Sequence, residues 1–215
     1  MLVFVDANLV LFAVPKTGST AYHMALKGMA DISFARKPGY KHMALRKYER
    51  HFAPYLKDAH GLEPERVAVM RDPVEQIRSW YRYRSRPTPR KEKGVLGGMS
   101  FDDFVAEVIA PKPAEFAKIG SQLTFLSSDD GAVRVDHLFA YERPTLLRQF
   151  LTDRLGKDFE TKPKNVSPQI DAPLSAEMEA RLRAVRAEEF ALYDRIVAAD
   201  GHLRGPVIAQ SGYDG

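Results

Sequence analysis

Twice in this chain an apolar, β-prone run ends in a turn that at once begins a helix-like pattern: LVLFAVPKTGST at residues 9–20 and RVAVMRDPVEQI at 66–77. A strand followed by a helix, and then by another strand, is the unit of a parallel sheet, because the helix is the crossover that returns the chain in the same direction. The second junction is marked strongly. Asp72 suits an N-cap, Pro73 the first helical position and Glu75 a capping box, so a helix is expected from Pro73 to about Arg84. A first helix should run from about Ser19 to Met29, and a third strand should lie within 135–141 with a helix on PTLLRQFLTDRL behind it. Phe101, Phe104, Val105 and Val108 in SFDDFVAEVIA have helical spacing after Ser100. The pattern predicts an α/β fold in three layers, a central, mainly parallel sheet flanked by helices.

The start, MLVFVDANLVLFAV, reads as a β-hairpin over residues 2–14, with strands at 2–5 and 9–14 around the turn residues Asp6, Ala7 and Asn8. It lacks a basic leading region and a small-residue cleavage site, so it does not read as a signal peptide. No stretch approaches the roughly 18 apolar residues of a membrane span. A cytoplasmic protein with no membrane span is expected, and its 215 residues at 45% hydrophobic content suit a single domain over 1–215. The absence of cysteine excludes disulfides, thiolate zinc sites and cysteine nucleophiles. The C-terminal part predicts one long helix over 175–199, with Met178, Leu182, Val185, Leu192 and Ile196 near one face and Glu189 interrupting it. Residues 85–98 and 161–173, rich in Pro and basic side chains, read as exposed loops, the first of them flexible.

The turn VPKTGST sits where a strand meets a helix N-terminus, which is where backbone N–H groups and the positive end of the helix dipole gather an anion. Its lysine precedes the only loop glycine, so the GxxxxGK[ST] pattern of ATP and GTP sites is absent. What remains is a phosphate cradle. Lys16 offers a point charge, Gly18 allows close approach of the backbone, and Thr17, Ser19 and Thr20 offer hydroxyls. Arg71, at the carboxyl end of the next strand, and Ser79, eight residues on, could hold a second anion.

Together VPKTGST and VMRDPVEQIRSWY resemble the sulfotransferases that use 3′-phosphoadenosine 5′-phosphosulfate (PAPS), in particular carbohydrate sulfotransferases. SFDDFV, AYERPTLLRQFL and EEFALYDRI are similar to segments those enzymes carry in the same order, so the likeness extends from Leu9 to about Val197. Ser19 stands where many members have Thr or Gly, and keeps the hydroxyl. The resemblance implies a P-loop-NTPase-like fold. It also implies that Lys16, Thr17, Gly18, Ser19 and Thr20 grip the 5′-phosphosulfate while Arg71 and Ser79 grip the 3′-phosphate. PAPS would be the sulfuryl donor and the bisphosphate PAP the product.

Sulfuryl transfer is an in-line displacement in which negative charge builds on the leaving oxygen, so a cation there is the main requirement. Lys16 is the candidate, and no metal is required; the six histidines show no metal-ligand spacing. The acceptor, a hydroxyl or amine of a carbohydrate, lipid headgroup or small metabolite, must lose a proton to a base. His42 in PGYKHMALRKYERHF is favoured, since KHM is similar to carbohydrate sulfotransferases; His23, Glu49 and His51 are the other candidates. The basic run Arg82, Arg84, Arg86, Arg90, Lys91 and Lys93 could steer an anionic acceptor, and Lys164 and Asn165 could close over the nucleotide. The net charge of +4 favours acidic partners without specifying nucleic acid. Two other readings remain: a nucleotide kinase using the same loop for ATP, and a non-catalytic module that binds nucleotides or polyanions.

Overall fold

The computed structural model describes residues 1–87, 95–162 and 170–205. The elements in order are β1 (Leu2–Phe4), β2 (Leu9–Leu11), α1 (Ser19–Leu26), β3 (Ile32–Ser33), α2 (Pro38–Lys41), α3 (Leu45–His51), α4 (Ala53–His60), β4 (Glu65–Met70) and α5 (Pro73–Arg84). They continue with α6 (Phe101–Val108), a short 3₁₀ turn (Glu115–Ala117), α7 (Gln122–Leu126), β5 (His137–Ala140), α8 (Pro144–Leu155), α9 (Ala176–Val185), α10 (Ala187–Ala198) and β6 (His202–Arg204).

The six strands form one mixed sheet in the order β3-β1-β2-β4-β5-β6. Its centre is parallel, β4 lying between β2 and β5. The expected hairpin is present, pairing Leu2 with Leu11 and Phe4 with Leu9. Because β3 and β2 are both antiparallel to β1, β2, β3, β4 and β5 share one direction, against β1 and β6. The short antiparallel edges β3 and β6 carry little alternation to read in the sequence.

Alternation along the strands splits the sheet's side chains between two apolar layers. Val10, Phe12, Ala68, Met70 and Leu138 pack on one face with Leu45, Tyr48, Leu56, Leu126 and Ile196. Leu9, Leu11, Val67, Val69 and Phe139 pack on the other with Leu26, Leu147 and Leu151 from α1 and α8. A third cluster joins α5, α6 and α9 through Ile77, Tyr81, Phe104, Val105 and Leu182. No helix among the described residues is long and apolar enough to cross a membrane.

Helix boundaries follow local chemistry. Asp72 caps α5 by accepting from the Glu75 N–H at 2.9 Å, and Ser100 caps α6 by accepting from Asp103 at 3.1 Å. The expected capping box is only half made, since the Asp72 N–H donates to Glu142 while the Glu75 carboxylate turns to Arg78.

The single helix expected over 175–199 is instead two. The chain breaks at Arg186 (φ −113°, ψ 32°), and Val185, placed on the seam by spacing, is 62% exposed. The break lets the chain turn between cores: Leu182 of α9 and Phe190 at the start of α10 enter the α5–α6 cluster, whereas Leu192 and Ile196 of α10 enter the sheet. The break also brings in Glu189, which is 2% exposed and accepts from the Gln122 N–H at 2.8 Å and from Arg186 at 3.2 Å.

Truncating one partner of a buried pair strands the other, so Glu189→Ala is expected to destabilise the fold by about 3 kcal/mol. Glu188→Ala, at an exposed neighbour, is expected to change stability by less than about 0.5 kcal/mol. Urea denaturation of the two variants measures the difference.

Candidate functional site

The three parallel strands end side by side, and the segments that follow them meet: 12–20 after β2, Arg71 and Asp72 after β4, Tyr141 and Glu142 after β5. The carboxyl edge of such a sheet is where open α/β folds place ligands.

The loop after β2 is tightly held. Thr17 is 2% exposed, and its hydroxyl donates to the Val14 carbonyl at 2.9 Å. Thr17 therefore ties the loop from inside; the sequence reading had it presenting that hydroxyl to a ligand. Gln76 donates to the Pro15 carbonyl at 3.4 Å and Arg71 to the Lys16 carbonyl at 3.5 Å, so α5 and the end of β4 fix the loop from the other side. Lys16 (φ 70°) and Gly18 (φ 69°) both take left-handed backbone, which turns the chain sharply into α1. Ser19 opens α1, where the first N–H groups have no intrahelical partner, and the Thr20 hydroxyl accepts from Lys41 at 2.7 Å.

The Lys16 ammonium rests on two aromatic faces of α5, 4.6 Å from the Tyr83 ring centre and 5.3 Å from that of Trp80. Burial first, then the charges of Arg86 and Arg71, push its pKa down to about 8. The Arg71 guanidinium lies 4.5 Å from the centre of the Tyr141 ring, with Glu75 at 3.6 Å, longer than a good ion pair. Arg71 Nε, Trp80 Nε1 and Arg84 Nε are buried donors with no partner among the described residues. This corner gathers cations and unmet donors, and buried donors left unmet are costly.

His42 follows α2 and reaches the same loop, its Nδ1 lying 2.6 Å from the Ala13 carbonyl. A carbonyl can only accept, so Nδ1 carries the hydrogen and the neutral ring keeps its lone pair at Nε2. Burial, partly offset by that bond, holds the His42 pKa below its usual value. Of the other candidates, His23 stays beside the loop, lining a small cavity with Ala13, Thr17 and Ser19, whereas Glu49 and His51 lie away from it. His23 is buried with Nε2 3.1 Å from the Ser33 hydroxyl, and burial together with nearby cations pushes it down to about 4. Glu49 pairs with Arg66 at 2.6 Å, at the start of β4; five residues at about 3.3 Å separate that point from Arg71 along the strand. His51 is exposed at the end of α3.

Lys16, Arg71, Gly18, Ser19, Thr20 and His42 are thus brought to one edge, with Ser79 half-buried on α5 beside Trp80. Arg90, Lys91, Lys93, Lys164 and Asn165 lie outside the described residues. Among the described residues no group of three or more His, Asp or Glu is placed to hold a metal ion. The sequence reading missed Gln76, Trp80 and Tyr83. They fall at one helical spacing on α5, four and then three residues apart, and that periodicity was the available signal. Tyr141 and Glu142 carried no such pattern.

Comparison of the chain with family models, curated proteins and solved structures returns no match.

A Cβ on Gly18 would stand 3.1 Å from the Tyr141 ring in a conformation L-residues disfavour. Gly18→Ala is therefore expected to lose about 1–2 kcal/mol of stability in denaturant titration. Gly61→Ala, at a left-handed glycine with no neighbour within 4 Å of its Cβ position, is expected to cost less, because it lacks the added clash with the ring beneath Arg71.

Proposed function

We propose that this chain is a sulfotransferase that moves a sulfuryl group from PAPS to a hydroxyl or amine, on a P-loop-like fold. One observation carries the reading: Lys16 and Arg71 converge on a left-handed loop at the sheet edge, their charges coupled and poorly matched by carboxylates. The buried unmet donors Arg71 Nε, Trp80 Nε1 and Arg84 Nε beside them suit a ligand rich in acceptor oxygens. The resemblance in the two loop motifs says which ligand.

In this reading Lys16, Gly18, Ser19 and Thr20 hold the 5′ end of the nucleotide, and Arg71 with Ser79 holds the 3′-phosphate. When bound, PAPS supplies the sulfuryl group and a bisphosphate leaving group. The acceptor oxygen forms its bond to sulfur as the bond from sulfur to the bridging oxygen breaks. Lys16 neutralises the charge that collects on that oxygen. His42 Nε2 takes the acceptor's proton, and its depressed pKa keeps the ring neutral and ready at cytoplasmic pH. Thr17 positions the loop from within.

The test of the donor site is thermal shift with adenosine 3′,5′-bisphosphate, ATP and heparin. A ligand that binds only the folded state at 100 times its Kd adds about 2.7 kcal/mol. The bisphosphate is expected to give the largest shift and Arg71→Ala to abolish it; a larger response to ATP or to heparin alone overturns the reading.

Catalysis needs Lys16 charged and His42 neutral. The rate kcat/KM should therefore rise as pH passes upward through the His42 pKa, below 6.5, and fall again near pH 8 as free Lys16 loses its proton. Lys16→Ala is expected to lower kcat by about 10²–10³. In Lys16→Arg the alkaline limb should vanish from the pH profile, because guanidinium does not titrate there.

A further inference from the structure

Residues 36–47, RKPGYKHMALRK, hold five Lys or Arg and no Asp or Glu, a net +5 against +4 for the whole chain. The molecule's positive excess is thus concentrated in this one segment, and the remainder is net −1. Among the described residues no carboxylate pairs with Arg36, Lys37, Lys41, Arg46 or Lys47. The first carboxylate beyond the segment, Glu49, is held by Arg66. His42 stands in the middle of this collar, and Lys41 reaches the loop at Thr20.

Beside the collar is a cavity of about 180 Å³. It meets the loop at Val14 and Pro15, just before Lys16, and meets the collar at Ala44 and Arg46. Phe125 adds to its apolar lining, and Gln76 to its polar lining. Gln76 is 2% exposed; its amide nitrogen is bonded to Pro15, but its Oε1 is buried with no donor among the described residues. Buried acceptors normally have a partner.

We propose that this cavity is the acceptor site and that the acceptor is itself an anion: a hydroxylated, ring-sized molecule whose acid group rests on Arg46. A ring hydroxyl answers Gln76, and the reacting hydroxyl lies at the Val14 and Ala44 end of the cavity, since His42 bonds Ala13, next to Val14, and stands two residues before Ala44. Such a substrate would be repelled by a bound polyanion unless cations stood between them, and the collar supplies them. It also draws the substrate in at long range, an effect that weakens with salt. This inference rests on the sulfotransferase reading and names its substrate class.

The probes are p-nitrophenyl β-glucuronide and p-nitrophenyl β-glucoside, which differ only by a carboxylate in place of a hydroxymethyl group. Each is titrated calorimetrically into the wild-type chain, Arg46→Glu and Arg181→Glu, with and without adenosine 3′,5′-bisphosphate. Arg181 is exposed on α9 and imposes the same change in net charge away from the cavity. One charge-assisted contact predicts about ten-fold tighter binding of the glucuronide. That preference should disappear in Arg46→Glu, persist in Arg181→Glu and weaken with added salt. Equal or tighter binding of the glucoside, no binding of either, or a preference that survives Arg46→Glu overturns the proposal. A chain that prefers the glucuronide but ignores the bisphosphate overturns the sulfotransferase reading and leaves the anion-selective cavity standing.

Discussion

The peptide that ends the central strand is held from both sides by one side chain. Gln122 accepts from the Arg71 N–H at 2.9 Å and donates to the Arg71 carbonyl at 2.8 Å. Its own N–H is fixed by the buried Glu189, and Glu189 by Arg186 at the break between α9 and α10. The direction in which Arg71 leaves β4 is thus set by the C-terminal helices, far away in sequence. The adjacent peptide is tied in the same manner: the Asp72 N–H donates to Glu142, whose other oxygen accepts from Tyr193 of α10. Polar groups that would otherwise be stranded at a sheet edge instead determine one geometry.

That geometry sorts the charges. The carboxylates nearest the loop are engaged: Glu142 by Asp72 and Tyr193, Glu75 by Arg78, Asp72 by its helix. Burial is the main cause of the raised Asp72 pKa, with Glu142 and Glu75 adding to it. The cations in contrast lie on aromatic rings, Lys16 on Tyr83 and Trp80 and Arg71 on Tyr141. A ring face steadies a cation without neutralising it, so the positive potential persists at the edge.

Elements whose signal is local could be read from the sequence. The hairpin, the three strand-to-helix junctions, the Asp72 and Ser100 caps and the apolar face of α6 depend on neighbours within a few residues. So does the identity of Lys16 and Arg71 as strand-end cations. Elements that depend on distant partners were not legible. The sequence shows Glu189 as an interruption, and only Gln122 and Arg186 make it a reason for two helices. KHM sets His42 apart from Glu49 and His23 in the sequence, but only Arg66 and Ser33 show what the other two bond to. The concentration of charge at 36–47 was countable, but its place beside a cavity was not.

The loop's path is set by the bonds of Thr17 to Val14, Gln76 to Pro15 and Arg71 to Lys16, and by the left-handed turns at Lys16 and Gly18. An anion bound there, as proposed, would meet a loop already tied down and would leave little chain freedom to surrender. On the proposed reading, a swing of the Lys16 ammonium off its aromatic seat would be the main rearrangement that binding asks of this edge.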